Sequence, residues 1–207
     1  MLKDRQRRGR VMLVTVGART SAVLLAVSAV IVSGCAHPGL DGATGPDAAA
    51  AVLPDNAVIP LSAVQQVFPT LSVSLTGGHD PRALGAPLAT RRAQFAEPTA
   101  IPRLTVTVAE YVSEDDAFTT FTDLIEVLRN TPGSVGLGRP DVGQDSRANV
   151  IRPRTGPLVV TVAARKWRMI IQVSTTRSTY SRDHLERLVK LARQQVSIPV
   201  SVAGVSG

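Results

Sequence analysis

The 207 residues contain one cysteine, Cys35, and its neighbours decide what the sulfur can do. A thiol acts as nucleophile or metal ligand through its thiolate, which cationic or metal neighbours stabilise. Cys35 has instead Val32, Ser33 and Gly34 before it, at the end of a long apolar run. Such a thiol either packs as a small apolar group in a helix or receives a lipid at a membrane boundary. Elsewhere, His79-Asp80 has the residue types of a metal ligand pair or an acid/base pair. A zinc site wants three or four converging ligands, and the remaining histidines, His37 and His184, supply no such spacing. No metal is expected. Glu114-Asp115-Asp116 could hold a divalent cation, but carboxylates at a helix start are also what the helix dipole favours. Gly136-x-Gly138 with Gly143 does not lie between a strand and a helix start, so it is no dinucleotide fingerprint. There is no Gly-x-Ser-x-Gly, and no Ser/His/Asp order accompanies one. The sequence points to no catalytic residue, no cofactor and no enzyme.

Residues 1–34 have the layout of a secretory signal. Lys3, Arg5, Arg7, Arg8 and Arg10 form a basic start, and Ser21 to Val32 form an apolar core. Val32-Ser33-Gly34-Cys35 resembles the lipobox of bacterial lipoproteins. That resemblance implies cleavage before Cys35 and a diacylglyceryl group on its sulfur, holding the rest of the chain at the outer face of the cytoplasmic membrane. Arg7-Arg8 is followed by Gly9-Arg10-Val11, which does not resemble a twin-arginine motif. An uncleaved anchor is the competing reading. Val11 to Gly34 is long enough to cross about 30 Å of hydrocarbon, but Arg19 in its middle would cost a few kcal/mol there. Both readings place the rest of the chain outside the cytoplasm.

Charge changes meaning once the signal is set aside. The formal net charge is +7, yet residues 1–34 hold six Lys/Arg and one Asp, leaving a small excess in the remainder. The high pI is therefore no argument for nucleic acid. The remainder is strongly divided. Residues 147–193 carry eleven Lys/Arg and two acids, whereas 35–146 carry six Lys/Arg and thirteen acids. Either the two halves pair within the fold, or a basic face meets anionic lipid or an acidic partner. The candidates for that face are Arg165, Lys166 and Arg168 together with Arg187, Lys190 and Arg193.

Residues 35–57 read as a tether. A flexible chain of about 22 residues has an r.m.s. reach of roughly 25 Å. One domain is expected over 58–200, with a loose tail over 201–207. Ser62 is expected to cap a short helix ended by Pro69, followed by a strand around Leu71, Val73 and Leu75. Residues 77–103 show no sustained pattern and read as loops. Leu104 to Val112 alternates as a strand. Ser113 then caps a helix with Asp116 as its partner, and Ala117, Phe118, Phe121, Leu124, Ile125 and Leu128 form the buried stripe. Residues 133–146 read as a loop. Strands follow at Ala148–Arg152, Leu158–Ala164 and Trp167–Thr175, the last two joined around Arg165-Lys166. Trp167 is placed on the last strand beside Met169, Ile171 and Val173, in or at the rim of the core. Ser181 caps a closing helix whose apolar stripe is Leu185, Leu188, Val189 and Ala192.

This order gives an α+β fold, a mostly antiparallel sheet with two main helices packed on one face. Three stretches resemble small extracytoplasmic domains of actinobacterial lipoproteins and the external sensor domains of mycobacterial serine/threonine kinases. They are Leu61 to Phe68, the strand and helix from Val108 to Leu128, and the closing hairpin and helix. Those kinase domains carry paired cysteines that are missing here, and no functional residue is carried across. The resemblance implies a non-enzymatic domain that binds a ligand or an envelope protein. The alternative is a carrier of an apolar ligand, a lipid or glycolipid, in a cavity between sheet and helices.

Overall fold

The computed structural model describes residues 51–77, 85–98 and 103–200. They form an α+β fold built on one mixed, mostly antiparallel sheet. Its strands are β1 (Ala51–Val52), β2 (Val73–Gly77), β3 (Ala89–Ala96), β4 (Leu104–Glu110), β5 (Ser134–Gly138), β6 (Asp145–Ile151), β7 (Leu158–Lys166) and β8 (Met169–Arg177). The spatial order is β1-β3-β4-β8-β7-β6-β5, and β2 also pairs with β3. Only β1 is parallel to its neighbour. The helices are α1 (Leu61–Gln65), α2 (Glu114–Asn130) and α3 (Arg182–Ser197).

Side chains alternate between the faces of a strand, so parity assigns each helix to a face. Val106, Val108, Val160, Val162, Ile171 and Val173 share a core with Leu188, Leu191 and Ala192 of α3. The intervening Ala109, Ala163 and Ile170 pack with Ala117, Phe121, Leu124 and Leu128 of α2. The two main helices therefore lie on opposite faces, not on one face as the sequence suggests. β7 is covered on both sides along most of its length and is nearly continuously apolar from Leu158 to Ala164, whereas β8 is apolar on both faces only at its Ile170-Ile171 start. β4 alternates Val with Thr because α2 crosses only part of its face. Beside α2, Thr105, Thr107, Gln172, Ser174 and Gln94 stay half-exposed.

Both main helices start as expected. Ser113 Oγ accepts from the Asp116 N–H at 3.1 Å, and Ser181 Oγ accepts from the His184 N–H at 3.2 Å. Ser62 is different. Pro60 is the residue before α1, no side chain caps it, and Ser62 lies inside the helix.

Several boundaries also move. Residues 51–57 belong to the fold instead of the tether: β1 pairs with β3, and Leu53 is fully buried. Gln195 fixes this segment to α3, accepting from the Ile59 N–H at 2.8 Å and donating to the Ala57 carbonyl at 2.7 Å. β3 occupies part of the expected 77–103 loop, because its Ala-Thr-Arg-Arg-Ala-Gln-Phe-Ala sequence lacks the β-branched run that marks a strand. β5 occupies part of the expected 133–146 loop. It is an edge strand whose pairing with β6 is irregular between Gly136 and Gly138, the place where glycine and a bulge are tolerated.

Candidate functional site

The β7–β8 hairpin turns at Trp167-Arg168, since Lys166 pairs with Met169. The turn is thus two residues beyond the expected Arg165-Lys166. Trp167 is not on a strand and not in the core: its φ is +52° and it is 56% exposed. A two-residue hairpin needs positive φ at its first position to match strand twist. A bulky residue rarely takes that conformation. The turn is held by the Trp167 N–H donating to Gln144 Oε1 at 2.6 Å.

Four charged groups organise the surrounding end of the sheet. Arg165 donates through Nε and Nη2 to Asp145 Oδ2 at 3.0 and 2.6 Å, a two-pronged pairing of the kind a planar guanidinium favours. Bonding to Arg165, with a further contribution from Arg139, holds the Asp145 carboxyl below the usual carboxylate pKa. Arg165 also sits 5.4 Å from the ring centroid of Phe118 and donates to the Trp167 carbonyl at 3.4 Å. Arg168 pairs with the buried Glu110 carboxylate at 2.9 Å and donates to the Val112 carbonyl at 3.5 Å. Phe118, expected in the buried stripe of α2, is 54% exposed. It falls outside because that stripe runs through Ala117 and Phe121.

The six basic candidates divide. Arg165 lies on the α2 side of β7, whereas Lys166 points to the other side and donates to the Val196 carbonyl of α3 at 2.9 Å. Arg168 is in the turn. On α3, Arg187 pairs with Asp183 at 3.0 Å, and Arg193 donates to the Asp141 carbonyl at 2.8 Å. Lys190 is exposed. The structure brings Arg165, Lys166 and Arg168 to one end of the sheet but spends much of their charge on acids and carbonyls of the fold. Val32, Ser33, Gly34 and Cys35 lie outside the described residues, as do His37, His79 and Asp80. Among the described residues no group of three His, Cys, Asp or Glu side chains could hold a metal. No helix among them is long and apolar enough to cross a membrane.

Two buried titratable groups carry chemistry: Glu110, which the alternation of β4 places with Leu104, Val106 and Val108, and His184, which sequence reasoning missed. Glu110 is 3% exposed, and its Oε2 has no partner among the described residues. His184 is 2% exposed and packs edge-on against Phe68 at 5.3 Å. Burial, then the charges of Arg177 and Arg187, push its pKa down to about 4. An open cleft of about 420 Å³ lies beside α3, with Leu137, Ala148, Tyr180, Leu185, Val189 and Arg193 in its lining.

No family model matches the chain, and no curated protein matches it. One solved structure it is similar to is the extracellular domain of PknH from Mycobacterium tuberculosis. The identity is 9%, the match covers 67% of this chain and 92% of that chain, and the TM-score is 0.45. A likeness of that size carries no inference about activity or partners.

Proposed function

We propose that this chain is a lipid-anchored envelope protein whose α+β domain is a binding module, not an enzyme, at the outer face of the cytoplasmic membrane. The observation that carries this reading is Val32-Ser33-Gly34-Cys35 at the end of a basic-then-apolar leader. The first described strand starts at Ala51, so residues 36–50 lie between it and the lipidated sulfur. What the domain offers a partner is the half-exposed hydroxyl and amide strip beside α2 and the cleft beside α3. The cleft exceeds the roughly 300 Å³ at which small-molecule pockets begin. A lipid carrier would need its cavity between sheet and helices. That space is occupied by Val106, Val108, Val150, Ile171, Leu188 and Leu191, all fully buried, which favours the binding module.

The test is Cys35→Ala in the full chain, expressed in a bacterium that processes lipoproteins and fed labelled fatty acid. The expected result is an unprocessed, unlabelled precursor beside a labelled, shortened wild-type protein. Label on the variant, or no label on the wild type, refutes the assignment.

A further inference from the structure

Six large apolar side chains are conspicuously exposed among the described residues, and three of them, Val112, Phe118 and Trp167, occur at one end of the sheet. Hydrogen bonding places them around the same turn. Arg165 touches both Phe118 and the Trp167 carbonyl, Arg168 reaches the Val112 carbonyl, and the Tyr111 N–H donates to the Arg168 carbonyl at 2.8 Å.

The chain enters the domain at this same end. Ala51 pairs with Ala89, Ala89 with Glu110, Glu110 with Met169, and Met169 with Lys166. β1 runs parallel to β3 and away from the turn, so the segment leading back to Cys35 leaves beside it. Four strand spacings of about 4.8 Å put the exit roughly 19 Å across the sheet from the β7–β8 hairpin. Fifteen residues, 36–50, remain as the link; taken as a flexible linker they have an r.m.s. reach of about 21 Å. The opposite end of β7, a nine-residue strand, is about 30 Å further along. A lipid on Cys35 therefore brings the Trp167 end within the mean reach of the bilayer and leaves the opposite end farther off.

We propose that this end rests on the lipid surface, with the Trp167 ring and the Val112 and Phe118 side chains in the headgroup region. The inference rests on the lipid-anchor reading above. Tryptophan suits that position because its ring is apolar and its indole N–H can still bond to headgroups or water. Net charge is not the driving contribution. Arg165 and Arg168 are paired to Asp145 and Glu110, and the exposed Glu114, Asp115 and Asp116 start α2 close by. The contact is apolar, with the cations as flanking partners for phosphates, and it is only weakly sensitive to salt.

The experiment uses the full chain, extracted from membranes and reconstituted into phosphatidylcholine vesicles with or without bromine on the upper acyl chain. Trp167 is the only tryptophan, so its emission reports this end alone. Bromine is expected to remove about half or more of the emission, since apolar groups of interfacial proteins sit roughly 5–10 Å into the headgroup–acyl boundary. The doubly changed chain Trp167→Phe with Ser178→Trp moves the probe just beyond the far end of β8 and should show no bromine quenching. Unquenched Trp167, or equal quenching at the two positions, overturns the proposal. So does a Trp167 shielded from aqueous iodide yet blind to bromine, the signature of a protein partner. Mass spectrometry of Cys35 in the same preparation separates the two readings. A lipidated chain without quenching sinks the lipid contact alone. Quenching confined to Trp167 without lipid on Cys35 sinks the anchor and supports the contact.

Discussion

Gln195 is the residue whose removal should tell most about how the segment after β1 is joined to the core. Its amide is 1% exposed and bonds two backbone groups on the far side of the sequence, the Ile59 N–H and the Ala57 carbonyl. Both belong to the segment that follows β1, and Ala57, Val58 and Ile59 are all buried. Gln195→Ala leaves one donor and one acceptor in a dry site. Each orphaned group costs about 1–3 kcal/mol, so the sum is about 2–6 kcal/mol. Gln195→Leu keeps most of the volume and isolates the polar part, and it should lose nearly as much. Urea unfolding of the full chain in detergent, followed by Trp167 emission, reads the change as a shift in midpoint at constant slope. A loss under about 1 kcal/mol for both variants would refute the reasoning, because it would mean water or another group serves those backbone atoms. Gln195→Glu adds a signed control. A neutral carboxyl can donate to the Ala57 carbonyl, whereas a carboxylate faces it with like charge. Its folded-state pKa is thus raised above the ordinary value of about 4.3. The variant should be most stable below the unfolded pKa and lose stability as pH rises through the folded one. The wild-type amide shows no such dependence.

Phe121 is buried at the centre of the α2 core and Phe118 one turn away is exposed, so Phe121→Ala should cost about 3–5 kcal/mol and Phe118→Ala far less, as read by the same unfolding curves. Equal losses would mean that α2 is rotated from the orientation described. His184 is held neutral by burial, with Arg177 and Arg187 nearby and Asp183 opposing them. Its folded pKa, about 4, is below the ordinary value near 6.5, so the unfolded chain takes up the proton first. Its contribution to stability is present above about pH 6.5 and is lost as pH falls toward 4. Comparison with His184→Gln, measured across that window, should show a shallower fall in the variant; identical slopes would contradict the burial argument.

The α+β class, both helix caps and the central strands were legible in the sequence because each rests on a local rule. Ser113 and Ser181 stand where a side-chain oxygen must meet an orphan N–H, and the Val/Thr alternation of β4 has a strict period. The two-sided arrangement was not legible. Alanines such as Ala109 and Ala163 carry no apolar signal strong enough to show that the second face is covered, although Ile170 does. Two strands were missed for a related reason: β3 and the edge strand β5 are poor in β-branched residues, with one Thr and one Val between them, and their pairing is dictated by β4 and β6. Trp167 was read as a strand residue because Met169, Ile171 and Val173 extend its alternation. Periodicity cannot see that β7 and β8 must reverse at that position. Of the basic candidates, the hairpin group was found by composition alone, while its partners Asp145 and Glu110 are distant in sequence.

The pairing of those charges changes what the end of the sheet can contact. The division between an acidic first half and a basic second half is partly consumed inside the fold, where Arg165 meets Asp145 and Arg168 meets Glu110. What remains at the surface includes an apolar group, Val112, Phe118 and Trp167, beside the acidic start of α2, and its most exposed aromatic ring stands in a backbone conformation that costs an L-residue roughly 1–2 kcal/mol. Glycine or asparagine would take φ +52° with less strain. A ring left 56% exposed recovers little of that cost by burial within the domain. Stability of the isolated fold does not account for tryptophan at this position, whereas the proposed contact with an interface would. The strain thus falls on the same residue that the proposed lipid contact uses.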